Sequence, residues 1–169
     1  KAQSRPLATD RVGGRVAITD GARVALWDAR DRAITQLLPE SGLSVHSARF
    51  APAGDLLVIQ EEDGAGRSGL MQLRVVGLED GEELATIPFR CGCLVNFDFD
   101  EAARSLRVVV SSPELGGTWV LSWALGQARR DTGAGAAAPF EFQGRHKLMR
   151  YVVRAGDGLE WFKGRHVLR

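Results

Sequence analysis

Few residues of this chain are suited to chemistry, and their spacing decides most of what they can do. Gly64-Ala65-Gly66-Arg67-Ser68-Gly69 satisfies the glycine pattern in which backbone N–H groups cradle a pyrophosphate. That use requires a helix to open after the last glycine, with the positive end of its dipole toward the phosphates. Leu70 to Val76 instead alternates as a strand, so the glycines read as a hairpin loop. His46, His146 and His166 are the whole histidine set, with no His-x-x-x-His and no Gly-x-Ser-x-Gly elbow, so neither a zinc site nor a serine triad is prompted. Cys91 and Cys93 lack the second pair of ligands a soft metal needs, and a bridge between residues two apart in a strand would be strained. No metal and no cofactor are expected, and a reducing, cytoplasmic setting is favoured. Asp98, Asp100 and Glu101 form one loose group of carboxylates, the minimum for acid–base work, at what reads as a strand end.

The elements that position these residues are strands. Val16 and Ile18 alternate with Arg15, Ala17 and Thr19; Val24 and Leu26 alternate with Arg23, Ala25 and Trp27. Met71, Leu73 and Val75 are spaced the same way, as are Leu106, Val108 and Val110. Turn residues punctuate the runs at Asp20-Gly21, Ala53-Gly54-Asp55, Asp80-Gly81, Gly116-Gly117 and Gly156-Asp157-Gly158. The 169 residues are 44% hydrophobic and 25% charged, which is globular and excludes intrinsic disorder. Twenty-two Lys and Arg against 21 Asp and Glu leave +1, so no global field draws the chain to nucleic acid, which is not an expected partner. No apolar run approaches the roughly 20 residues of a membrane-spanning helix.

The strands repeat. Val24 to Ala29 returns in altered form as Leu73 to Leu78 and as Val120 to Leu125, placing Trp27, Val76 and Trp123 at equivalent positions. Phe50, Phe99 and Phe142 form a second landmark, each leading to a turn or loop and an apolar strand. Both series keep a period of roughly 40–50 residues, room for four strands each, which is the unit of a β-propeller blade. In the second unit the strands are expected at 46–52, 56–61, 70–76 and 83–89, and in the third at 94–98, 106–111, 118–124 and 127–130. Leu26-Trp27-Asp28 followed by Phe50-Ala51-Pro52-Ala53-Gly54-Asp55-Leu56-Leu57 resembles the WD-repeat propeller pattern. There a Trp-Asp closes the third strand, and a Phe-Ser-Pro-Asp-Gly-like turn follows the next first strand. Val76-Gly77 and Trp123-Ala124 replace the Trp-Asp in later units, and Gly42-Leu43 stands where a Gly-His would be, so the likeness is to a divergent member.

The expectation is therefore an all-β chain of four-stranded antiparallel propeller blades. It forms one domain or partial propeller over 1–169, with repeats at about 1–43, 44–92, 93–136 and 137–169. Four blades are expected as part of a larger ring. Ser112 to Trp119 is close to the Asp-box of sialidase-like propellers, with Glu114 in place of the Asp. That box is a structural hairpin, and a sialidase-like site also needs a trio of arginines and a nucleophilic Tyr, of which Tyr151 is the sole candidate. A propeller hydrolase with a channel site is the competing reading. The four tryptophans read as packing between blades. Resemblance to WD-like propellers implies a non-enzymatic scaffold that binds another protein or the remainder of its parent polypeptide; self-association is a further outcome. If loops at one rim line the binding face, the nominated residues are Asp20, Glu62, Asp63, Arg67, Glu114, Arg154 and Asp157.

Overall fold

The structure is a computed structural model that describes residues 4–11, 14–63, 70–89, 94–100, 105–112, 117–125, 140–148, 150–154, 158–163 and 166–168. Fifteen strands occupy these residues. They are β1 Arg5–Thr9, β2 Arg15–Thr19, β3 Val24–Asp28, β4 Ala33–Leu37, β5 Ser44–Phe50, β6 Leu56–Glu62, β7 Met71–Gly77 and β8 Glu83–Phe89. The chain continues with β9 Leu94–Asp100, β10 Ser105–Ser112, β11 Gly117–Leu125, β12 Phe140–Leu148, β13 Arg150–Arg154, β14 Gly158–Lys163 and β15 His166–Leu168. The sheets are meanders of chain neighbours: β1-β2-β3-β4, β5-β6-β7-β8, β9-β10-β11-β12 and β13-β14-β15, all antiparallel. This is the all-β, blade-like architecture that the alternation and turn punctuation imply. The chain divides into two compact units, Lys1–Gly92 and Cys93–Arg169.

One boundary differs from the sequence expectation. The outer strand of the third sheet is Phe140–Leu148, paired along Thr118 to Leu125, so this sheet runs past residue 136. Phe142 belongs to that outer strand rather than to a fourth unit, and the last sheet contains three strands from Arg150 onward. The sequence misled because 126–139 is rich in Gly and Ala, which carry little periodicity, while Phe140 and Phe142 alternate as any strand does. The strand expected at 127–130 lies outside the described residues.

In the first unit, directly paired residues share a face, so the registers sort every side chain. The first sheet turns Ala17, Val24 and Leu26 toward the second sheet, which answers with Val45, Ala48, Leu57, Ile59 and Val76; Leu38 and Leu78 join from the connections. Leu57, Ile59 and Val76 are 0% exposed. Each such side chain contributes about 1.5–3 kcal/mol by leaving water. β1 and β5 lie side by side where the two sheets meet. Both faces of β6 and β7 are buried, Leu57 and Ile59 on one and Val58, Leu73 and Val75 on the other, which explains why β6 reads as a nearly continuous apolar run.

Polar links brace this interface at its two ends. At one end Arg15 donates from Nε and Nη2 to Asp10 Oδ2, at 3.1 and 2.9 Å, and from Nη2 to the Gly54 carbonyl. Its guanidinium also lies 6.0 Å from the Phe50 ring centroid. Gly54 holds φ +71°, and a Cβ there would stand 3.3 Å from both Asp10 and Arg15, so backbone conformation and close approach both favour glycine. At the other end Arg74 donates from Nε to Glu61 Oε1 at 3.0 Å and from Nη1 to the Pro39 carbonyl at 2.6 Å, reaching the connection that leads out of the first sheet. Gln72 Nε2 donates to Glu61 Oε2 at 2.7 Å. Arg74 Nη2 stands 2.8 Å from Glu61 Oε1, an ionic contact without the directed geometry of a hydrogen bond.

In the second unit, the third sheet buries Phe97, Leu106, Val108, Val109, Val110 and Val120. The registers put Phe99, Leu106 and Trp123 in one row and Phe97, Val108 and Leu121 in another. The strand bearing Trp123 is thus the third strand of its sheet, as the strand bearing Trp27 is in the first.

Candidate functional site

Strand direction decides which loops share an end of the first unit. The β2–β3 turn, the β4–β5 connection and the β6–β7 loop lie at one end. The turns at 29–32, 51–55 and 78–82 lie at the other. Two contacts show that the like ends of the two sheets coincide. The Gly21 carbonyl in the β2–β3 turn accepts from Val45 N at the start of β5 at 2.8 Å. Arg5 Nη2, at the start of β1, donates to the Val45 carbonyl at 3.0 Å.

Three of the seven nominated residues fall on this end. Asp20 caps the β2–β3 turn: its Oδ1 accepts from Ala22 N at 3.2 Å and Arg23 N at 3.0 Å, while Thr19 Oγ1 accepts from Gly21 N and donates to the Arg23 carbonyl. Glu62 ends β6, and Asp63 comes next with its N–H donating to the Leu70 carbonyl. Glu62 lies 3.7 Å from His46 Nδ1 on the neighbouring strand, both side chains largely exposed. Sequence reasoning missed His46, Arg5, Arg23 and Glu40 as members of this end, although Arg23 and Glu40 form an ion pair joining the turn to the β4–β5 connection. Arg23 alternates out of the core in the sequence and so was readable as exposed, but its pairing depends on a loop that only the fold brings near. Arg67, Glu114 and Asp157 lie outside the described residues, and Arg154 ends β13 in the second unit.

The Asp20 carboxyl is held below the usual carboxylate range, first by the Arg23 backbone N–H and then by that of Ala22. A depressed folded-state value means the turn is favoured by the ionised form: its contribution is present above the ordinary carboxylate range and lost as pH falls through the lowered value. A side-chain carbon NMR titration is expected to show Asp20 titrating at lower pH than an unstructured Asp. An ordinary midpoint would show that the cap is not formed in solution.

The other candidates serve the sheets themselves. The glycine run 64–69 lies outside the described residues, but it joins β6 to β7, which pair antiparallel through Glu62 and Met71. The run therefore leads into a strand and not into the helix that a phosphate cradle requires. Asp98 Oδ1 accepts from Phe99 N at 2.9 Å, and Asp100 is ion-paired to Arg107, so both carboxylates are engaged within the third sheet. Glu101 and the cysteines lie outside the described residues. Asp28, of the Trp-Asp pair, accepts from Arg30 N at 2.7 Å and Asp31 N at 3.2 Å and so caps the β3–β4 turn. Among the described residues, no group of three or more His, Cys, Asp or Glu is placed to hold a metal, and no helix is long and apolar enough to cross a membrane.

Comparison with solved structures agrees with this geometry. The chain is similar to a chain in the crystal structure of the mitotic checkpoint complex, with TM-score 0.55 and 15% identity, covering 82% of this chain and 36% of that one. It is similar to an uncharacterized protein from Listeria monocytogenes EGD-e, with TM-score 0.58 and 10% identity over 90% of this chain and 57% of that one. It is also similar to a chain in the crystal structure of the eukaryotic initiation factor, with TM-score 0.54 and 13% identity over 86% of this chain and 35% of that one. The sequence itself matches no family model and no curated protein. The fold is therefore β-propeller-like, and the chain spans between about a third and 57% of the length of the structures it matches.

Proposed function

We propose that this chain is a non-enzymatic interaction module, a scaffold that binds another protein or another region of its parent chain through loops at one end of its sheets. The observation that carries the reading is the convergence of Asp20, Glu62 and Asp63 on one end of two sheets that are fastened together there, by the Gly21–Val45 backbone bond and by Arg5. Loops set on a rigid base suit recognition, because the backbone beneath them loses little freedom on binding. The end carries both signs of charge, which fits a polar protein surface better than a polyanion. Arg67, Glu114, Arg154 and Asp157 join the proposal from the sequence.

The test removes charge while keeping shape: Asp20→Asn, Glu62→Gln, Asp63→Asn, Arg67→Gln, Glu114→Gln, Arg154→Gln and Asp157→Asn in one chain. Proteins retained from a lysate of the source cells by the wild-type chain are identified, and their affinity for both forms is then measured. The expected result is a loss of at least tenfold, about 1.4 kcal/mol, while the chain stays folded and its melting transition falls by no more than Asp20→Asn alone lowers it. Retained affinity would contradict the assignment.

A further inference from the structure

Beneath the loop end of the first unit lies an ion pair to which the binding reading gives no part. Arg74 of β7 and Glu61 of β6 are buried on the face that otherwise gives Leu57, Ile59 and Val76 to the seam between the first two sheets. In such a place an ion pair is weakly stabilising at best, since apolar side chains of similar volume fill the space without a loss of hydration. What the pair has and an apolar pair lacks is direction. Arg74 Nη1 donates at 2.6 Å to the Pro39 carbonyl, in a run whose neighbours are held from the first sheet: Leu38 N by the Val24 carbonyl at 2.9 Å, and Glu40 by Arg23. Proline has no N–H, so that carbonyl is the sole backbone hydrogen-bonding group of residue 39. On its other side Arg74 Nε holds Glu61 Oε1, with Gln72 on Oε2, and the next two residues after Glu61 are Glu62 and Asp63.

We infer that Arg74 is a positioning residue for the loop end: oriented by Glu61, its guanidinium sets the spacing between the Asp20 turn with the Glu40 connection on the first-sheet side and Glu62 with Asp63 on the second. The inference rests on the reading of this end as a binding surface and adds the buried group that fixes its shape. A partner that spans both sides gains when the spacing is set before it arrives, because every segment ordered on binding subtracts from affinity. Apolar replacements keep the core filled, but they leave the Pro39 carbonyl without its donor and let the connection shift, since apolar contact is non-directional. Arg74 therefore acts on recognition without touching the partner.

Glu61→Leu with Arg74→Met tests the inference, with amide hydrogen exchange followed by NMR at both ends of the unit. At the loop end the probes are Leu38, Val45 and Asp63, whose N–H groups bond the Val24, Gly21 and Leu70 carbonyls; at the other end they are Ala51 and Leu78, which bond those of Leu56 and Asp55. In the double variant, exchange is expected to quicken about tenfold or more at the first three and to stay within about twofold at the other two. A uniform change, or none, overturns the inference. The wild-type chain supplies a measurement that needs no variant to fold: the Arg74 guanidinium protons are expected to exchange with water about 100-fold more slowly than those of free arginine, and the free rate overturns the inference. A protein partner that the charge-removed chain fails to hold is expected to bind the double variant at least tenfold more weakly, although all seven nominated residues are retained, and equal binding again overturns it. Affinity that survives charge removal strikes the binding reading alone, and the exchange comparison still decides the role of Arg74.

Discussion

Arg74→Ala is expected to lower the unfolding free energy by about 3–5 kcal/mol, because it leaves a carboxylate buried without its counter-charge. Both side chains of the pair are essentially inaccessible, Arg74 at 1% and Glu61 at 0%. Gln72 would remain on Glu61 Oε2, but one neutral amide does not replace a guanidinium, and the Pro39 carbonyl would lose the donor that reaches it from the second sheet. The double replacement Glu61→Leu with Arg74→Met removes both charges and keeps apolar volume, so it is expected to fall within about 1 kcal/mol of wild type or above it. Urea denaturation of the three chains measures both. If the single variant loses no more than the double, the pair is not desolvated in solution.

Leu57→Ala is expected to cost about 2–5 kcal/mol by the same measurement, with Leu37→Ala within about ±0.5 kcal/mol. Leu57 is 0% exposed and sits among Ala17, Leu26 and Val76, where neighbours on two sheets hold the space open after truncation. The surrounding strands are fixed by their ladders and collapse poorly, so the cavity term adds to the lost transfer energy. Leu37, on the outer strand, already meets water and forfeits little. Equal effects at the two positions would mean that the first two sheets do not pack through Leu57.

The fold was legible in the sequence where alternation and turn residues coincided. β5 to β8 fall within two residues of the strands that His46 to Phe89 implies, because the short runs, alternating in β7 and continuously apolar at the start of β6, are separated by Pro52, Gly54, Asp63, Gly77 and Gly81. Legibility failed at β12, where a Gly- and Ala-rich stretch gives no period and the aromatic landmark at Phe142 pointed to the wrong unit. At the candidate site, Asp20 was readable from its Asp-Gly turn, and Glu62 and Asp63 from a strand end. Their sharing of an end with His46, Arg5 and Glu40 was not, since it depends on how two sheets meet. The Glu61–Arg74 pair was hidden for a related reason: in a strand, a charged residue at an alternating position reads as exposed, and only tertiary contact reveals it as a buried link.

The meander order of the sheets bears on how the chain reaches this state. In the first two sheets every ladder joins strands adjacent in the chain, so the loops that must close are short and cost little entropy before contacts repay it. Individual hairpins of this kind form on the microsecond scale but are marginal alone. The slow event in the first unit is then the collision of two preformed four-strand ribbons, when Ala17, Leu26, Leu57 and Ile59 lose water together. Nucleation belongs to the seam between ribbons rather than to any ribbon, and synthesis from the N-terminus presents the first ribbon with its mate as soon as β8 leaves the ribosome.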